Sequence, residues 1–146
     1  MVGKTIAELR PGDFAELARH VDMPAIAAFI EAVGDYNPIH SDPIYAASTS
    51  FREPIAPGVF TAGLISAVIG TRLPGPGAIY ISQTLKFLAP VKIGDTVDAT
   101  VEVVELIGQR QRARLSCRCK VGNTVVLEGE AIVKIPVRPR GSGNGG

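Results

Sequence analysis

At 146 residues, with 46% hydrophobic and 20% charged side chains, the chain has the size and apolar content of one globular domain, not two. A formal net charge of +1 supplies no field for nucleic acid or an anionic membrane surface, so neither is expected as a partner. Two cysteines and two histidines are too few for a structural metal site, and no metal is expected.

Met1 to Arg10 carries Lys4, Glu8 and Arg10 and has no apolar core of a signal peptide, so a cytoplasmic location is the expectation. After the turn Pro11-Gly12-Asp13, residues Phe14 to Val21 read as a first strand. Asp22 then caps a helix, with Pro24 in its first turn, where a missing N–H costs little. Ile26, Phe29, Ile30 and Val33 give that helix one apolar stripe, and Gly34 stops it. An irregular segment, Asp35 to Asp42, follows and is broken by Pro38 and Pro43.

Pro57 to Thr71 is apolar almost all round, the pattern of a helix buried on most sides, as when a sheet wraps it. It is too short for a bilayer and contains Thr61, Gly63 and Ser66. Beyond the turn Pro74-Gly75-Pro76-Gly77, four long antiparallel strands are predicted near Ala78–Leu88, Thr96–Leu106, Arg110–Val121 and Thr124–Ile135. Val97, Ala99, Val101 and Val103 alternate with Asp98, Thr100 and Glu102, the period of a half-buried strand. Cys117 and Cys119 share one strand face, a spacing that favours neither a bridge nor a zinc site. The basic residues from Arg110 to Lys120 read as a solvated strand face. The whole is an α+β arrangement with helices on one face of an antiparallel sheet. Residues 1–137 form a single domain, and 138–146 read as a flexible tail.

The chemistry concentrates in Asp35-Tyr36-Asn37-Pro38-Ile39-His40. Pro38 turns the chain, so a carboxylate and an imidazole five residues apart need not diverge as they would on a helix. Such a pair suits hydration of a 2-enoyl thioester, in which one group takes a proton from water and another delivers one beside the carbonyl. The same spacing also suits an aspartate that ends a helix and a histidine packed in a loop, and spacing alone does not choose. Ile55-Ala56-Pro57-Gly58 leads into the apolar helix, where N–H groups at the N-terminus favour developing negative charge. Gly58 serves either that purpose or close helix packing. Ser66 reads first as a hydroxyl bonded back to the preceding turn.

These segments resemble the MaoC-like, (R)-specific enoyl-CoA hydratases. The likeness is carried by Asp35 to His40 with Asp42-Pro43 and Ala46-Ala47. Pro54 to Gly58, Leu73-Pro74-Gly75, Gln83 to Val91 and Val91 to Asp95 follow in the same order. The resemblance runs from about Ile6 to Pro136. It implies a hot-dog fold, an antiparallel sheet wrapped around a long buried central helix, in a homodimer. It implies reversible hydration of a trans-2-enoyl thioester to the (R)-3-hydroxyacyl thioester, with coenzyme A or acyl carrier protein delivering the substrate and no cofactor. Asp35 and His40 match the catalytic dyad, Asn37 supports its geometry, Gly58 binds the thioester oxygen, and Ser66 lies near the dyad. Val68 and Ile69 lie near the acyl pocket. Where the family often has a histidine before this glycine, the chain has Pro57, which removes one backbone donor. A hot-dog acyl-CoA thioesterase and a non-catalytic acyl-thioester-binding subunit are the competing readings.

Overall fold

The computed structural model describes residues 2–137; the predicted tail lies outside them. Strand β1 (Phe14–His20) leads into helix α1 (Met23–Val33). Asp22 accepts from the Ala25 N–H at 2.9 Å, and Gly34 closes the helix at φ 78°, its N–H bonded to the Ile30 carbonyl at 2.7 Å. Both ends follow the sequence. Of the predicted stripe, Ile26 and Ile30 are buried and Phe29 is half-buried, while Val33 is exposed.

A 3₁₀ turn over Pro38–His40 and a short helix α2 (Pro43–Ala47) follow. Periodicity does not reveal α2, because a single turn has too few residues to show it. Asp42 makes it, accepting from the N–H groups of Ile44 and Tyr45 behind Pro43. Helix α3 (Gly58–Thr71) comes next, then β2 (Ile79–Gln83), β3 (Lys86–Phe87), β4 (Thr96–Ile107), β5 (Arg112–Val121) and β6 (Thr124–Lys134).

Among the described residues six strands form one antiparallel sheet in the order β1-β4-β5-β6-β2, with β3 also paired to β6. The strand predicted over Ala78–Leu88 is two pieces. Thr84 bends across β6 where Gly129 has no side chain, its N–H bonded to the Glu130 carbonyl at 2.8 Å and its Oγ1 accepting from the Glu130 N–H at 2.9 Å. On β4 the alternation holds: Val97, Ala99, Val101 and Val103 are buried and Asp98 and Glu102 are exposed. Cys117 and Cys119 point into the core as free thiols. On the opposite face of β5, Arg114 bridges Glu105 and Glu130, each at 2.9 Å, in keeping with a solvated charged face.

Helix α3 lies across β1, β4 and β5. Thr61, Leu64, Ile65, Val68 and Ile69 face the sheet and are buried. Val59, Gly63 and Ser66, at i, i+4 and i+7, are exposed on the other side. Burial of the central helix is thus one-sided in the single chain. Among the described residues no helix is long and apolar enough to cross a membrane.

Candidate active site

Asn37 sets the local geometry between the two titratable groups. Its Oδ1 accepts from the Ile39 N–H at 3.3 Å, capping the 3₁₀ turn that carries His40, and its own N–H donates to Asp35 Oδ1 at 3.4 Å. That turn brings His40 Nε2 to 3.5 Å from Asp35 Oδ2. The histidine side chain is 10% exposed and the aspartate 41%, so the pair has one dry member and one open to solvent.

The other imidazole nitrogen fixes the proton. His40 Nδ1 lies 2.9 Å from the Ile55 carbonyl oxygen, which can only accept, so Nδ1 carries the hydrogen. In the neutral ring Nε2 is then a free lone pair aimed at the carboxylate, and once protonated it is a donor to it. The 3.5 Å separation exceeds a good direct N–H···O bond. A water oxygen about 2.8 Å from both atoms closes a triangle on that base. The pair can therefore hold one water and move a proton to or from it.

Ile55 joins this pair to the start of α3. Its N–H donates to the Ile39 carbonyl at 3.2 Å, and the next residue, Ala56, donates to the Val91 carbonyl at 2.7 Å. Three residues after Ile55, Gly58 is the first residue of α3, and its N–H meets no acceptor among the described residues. Gly58 lines an apolar cavity of about 480 Å³, walled mainly by Phe51, Ile55, Val59, Phe87, Leu88 and Val91. The Phe87 ring packs on Gly58 closely enough that a Cβ there would sit 2.6 Å from the ring.

The structure thus brings Asp35, His40 and Asn37 together and ties them through Ile55 to Gly58. It leaves others apart. Ser66 is exposed on the outer face of α3 and makes no side-chain hydrogen bond among the described residues, either to the pair or back to the preceding turn. Thr71, in the same helix, does make such a back-bond, to the Ala67 carbonyl at 2.7 Å. Val68 and Ile69 are 0% and 3% exposed within the core and do not wall the cavity at Gly58. Pro57 is the N-cap of α3 and donates nothing, and its carbonyl accepts from Phe60 at 3.0 Å. The roles of the Ile55 carbonyl and of Phe87 escape sequence reasoning, since a backbone acceptor and a ring on a two-residue strand leave no pattern. Among the described residues no three His, Cys, Asp or Glu side chains gather as a metal-binding cluster.

An antiparallel sheet curled on a central helix, with that helix's free N-terminus at an apolar cavity, defines a hot-dog-fold protein. Within that class the chain belongs to the MaoC-like domain family, whose model matches residues 13–126. A 3-hydroxybutyryl-CoA dehydratase of Methylorubrum extorquens is 59% identical over 120 residues, 82% of this chain and 76% of the relative. An (R)-specific enoyl-CoA hydratase of Rhodospirillum rubrum is 47% identical, covering 90% and 91% of the two chains. Among solved structures, the R-hydratase PhaJ1 of Pseudomonas aeruginosa superposes with a TM-score of 0.88 at 40% identity, over 93% of this chain and 88% of that one. The (R)-hydratase from A. caviae involved in PHA biosynthesis gives 0.85 at 41% identity, over 88% and 98%.

Proposed function

We propose that the protein is a hydro-lyase that reversibly hydrates a trans-2-enoyl-CoA to the (R)-3-hydroxyacyl-CoA. The observation that carries this reading is the Asp35–His40 pair, with Nδ1 pinned by Ile55 on the same backbone segment that delivers the Gly58 N–H. Asp35 and His40 hold one water against C3 of the enoyl group. As the water oxygen bonds to C3, one of its protons passes to the pair and the pair returns a proton to C2. Charge moves meanwhile onto the thioester oxygen, where the Gly58 N–H and the N-terminus of α3 stabilise it. The C3–O and C2–H bonds form as the C2–C3 π bond and one O–H bond of water break, with no net oxidation or reduction. Acid–base groups therefore suffice without a cofactor, and the coenzyme A thioester is the substrate.

Coenzyme A is proposed over acyl carrier protein because the relatives at 59% and 47% identity are named for CoA substrates, and those named for the carrier protein stand at 34% and 30%. Val68 and Ile69, which do not wall this cavity, stay in the proposal only as residues near the acyl pocket. Ser66 stays as a group presented on the open face of α3. A homodimer fits the apolar residues Ile79, Tyr80 and Ile81 on the edge strand β2, together with Val59 on that open face. The two buried free thiols suit a reducing cytoplasm.

The test mixes the protein with crotonyl-CoA and follows enoyl absorbance and free thiol together. Absorbance falls without thiol release, and Asp35→Asn and His40→Ala each lower kcat/KM by about 10²–10⁴-fold. Thiol release without prior loss of the enoyl chromophore overturns the reading in favour of a thioesterase. Binding without turnover by the wild type overturns it in favour of an acyl-thioester-binding subunit.

A further inference from the structure

Thr61 is, with His40, one of two buried polar or charged side chains among the described residues, and it is 2% exposed. It stands on the sheet-facing side of α3 among Leu64, Ile65 and Val68, where an aliphatic residue would pack as well. Its hydroxyl makes none of the side-chain hydrogen bonds of the described residues, whereas Thr71 in the same helix bonds back to the carbonyl four residues before it. Among the described residues no fully enclosed side-chain polar atom lacks a partner, so the Thr61 hydroxyl keeps some accessibility, and Thr61 lines the cavity at Gly58.

Position reinforces this. Thr61 follows Gly58 by three residues and so lies on the same helix face, about 4.5 Å further along the axis. Side chains of a helix lean toward its N-terminus, which carries the Thr61 hydroxyl back over the first turn, toward the unpaired Gly58 N–H. Pro57, one residue before Gly58, has no N–H to add. A burial-driven fold gains nothing from a largely buried hydroxyl with no protein partner, and such groups persist where a ligand completes them.

We propose that Thr61 is a substrate-binding residue whose hydroxyl donates to the thioester carbonyl oxygen held by the Gly58 N–H. The inference rests on the hydratase reading above. As charge grows on that oxygen during addition of water, the hydroxyl bond strengthens with it, so its effect falls on kcat more than on KM.

The experiment compares wild type, Thr61→Val and Thr61→Ser on crotonyl-CoA and records a thermal melt of each. Valine keeps the shape and deletes the hydroxyl. Thr61→Val is expected to lose about 10- to 100-fold in kcat with KM changed little, while its melting temperature stays level or rises. Thr61→Ser is expected to recover most of the activity. A Thr61→Val enzyme within about twofold of wild type overturns the proposal. So does a fall in melting temperature together with a loss that serine does not rescue, which marks a structural hydroxyl. If the wild type itself fails to hydrate crotonyl-CoA, the hydratase reading has failed and this inference falls with it.

Discussion

Gly58→Ala isolates the claim that a backbone N–H at the start of α3 binds the thioester oxygen. The added Cβ would lie 2.6 Å from Phe87 Cε1, 2.9 Å from Cδ1 and 3.1 Å from Cζ, so the ring must move. Phe87 is 53% exposed on a two-residue strand and can swing outward. Displacing a side chain from its rotamer costs about 0.5–1.5 kcal/mol. Alanine in place of glycine in a helix returns up to about 1 kcal/mol. The fold is therefore expected to change by no more than about 1 kcal/mol, or a few degrees in Tm. The site loses more. The methyl group enters the cavity where the carbonyl oxygen must approach the N–H, and the Phe87 ring that walls it there is displaced. Losing one such donor costs about 2.7–4 kcal/mol, or roughly 10²–10³-fold in kcat. Steady-state kinetics on crotonyl-CoA with a parallel thermal melt provide the measurement. A folded Gly58→Ala protein within about threefold of wild-type kcat/KM refutes the role assigned to this N–H.

Two predictions concern the frame around the site. A Cβ at Gly129 would collide with the carbonyl oxygen of Thr84, and Thr84 is held by its own bonds to Glu130. Gly129→Ala is expected to lower Tm by roughly 5–10 °C, because backbone cannot step aside as a ring can; a shift under about 2 °C would show that this crossing is loose. Burial pushes the Cys117 thiol up to about 11 and the Cys119 thiol up to about 12. Both exceed the ordinary value of 9.0, so the unfolded chain ionises first. Stability contributed by the neutral thiols is complete below pH 9 and is lost as pH rises toward 11–12. Urea midpoints should accordingly fall faster above pH 9 in the wild type than in Cys117→Ala/Cys119→Ala, and parallel curves would contradict the burial argument.

Local chemistry determined much of this protein. Asp22, Gly34 and the 3.6-residue stripe fix α1, because caps and periodicity act within a few residues of each other. Alternation fixes β4, and Asn37-Pro38 fixes a turn that lets Asp35 and His40 meet. The apolar run from Pro57 marks α3 and its exposed N–H groups at Gly58. Tertiary structure decided the rest. The break between β2 and β3 depends on Gly129, 45 residues beyond Thr84, so the alternation over Ala78–Leu88 carries no trace of it. An all-round apolar helix declares that it is covered but not by what, and in the single chain the sheet covers only the Thr61–Leu64–Val68 side. Which hydroxyl of α3 faces the cavity follows from that placement: Ser66 looks outward and Thr61 inward. The proton on His40 Nδ1 is assigned by a carbonyl fifteen residues away, and backbone acceptors have no letter in a sequence.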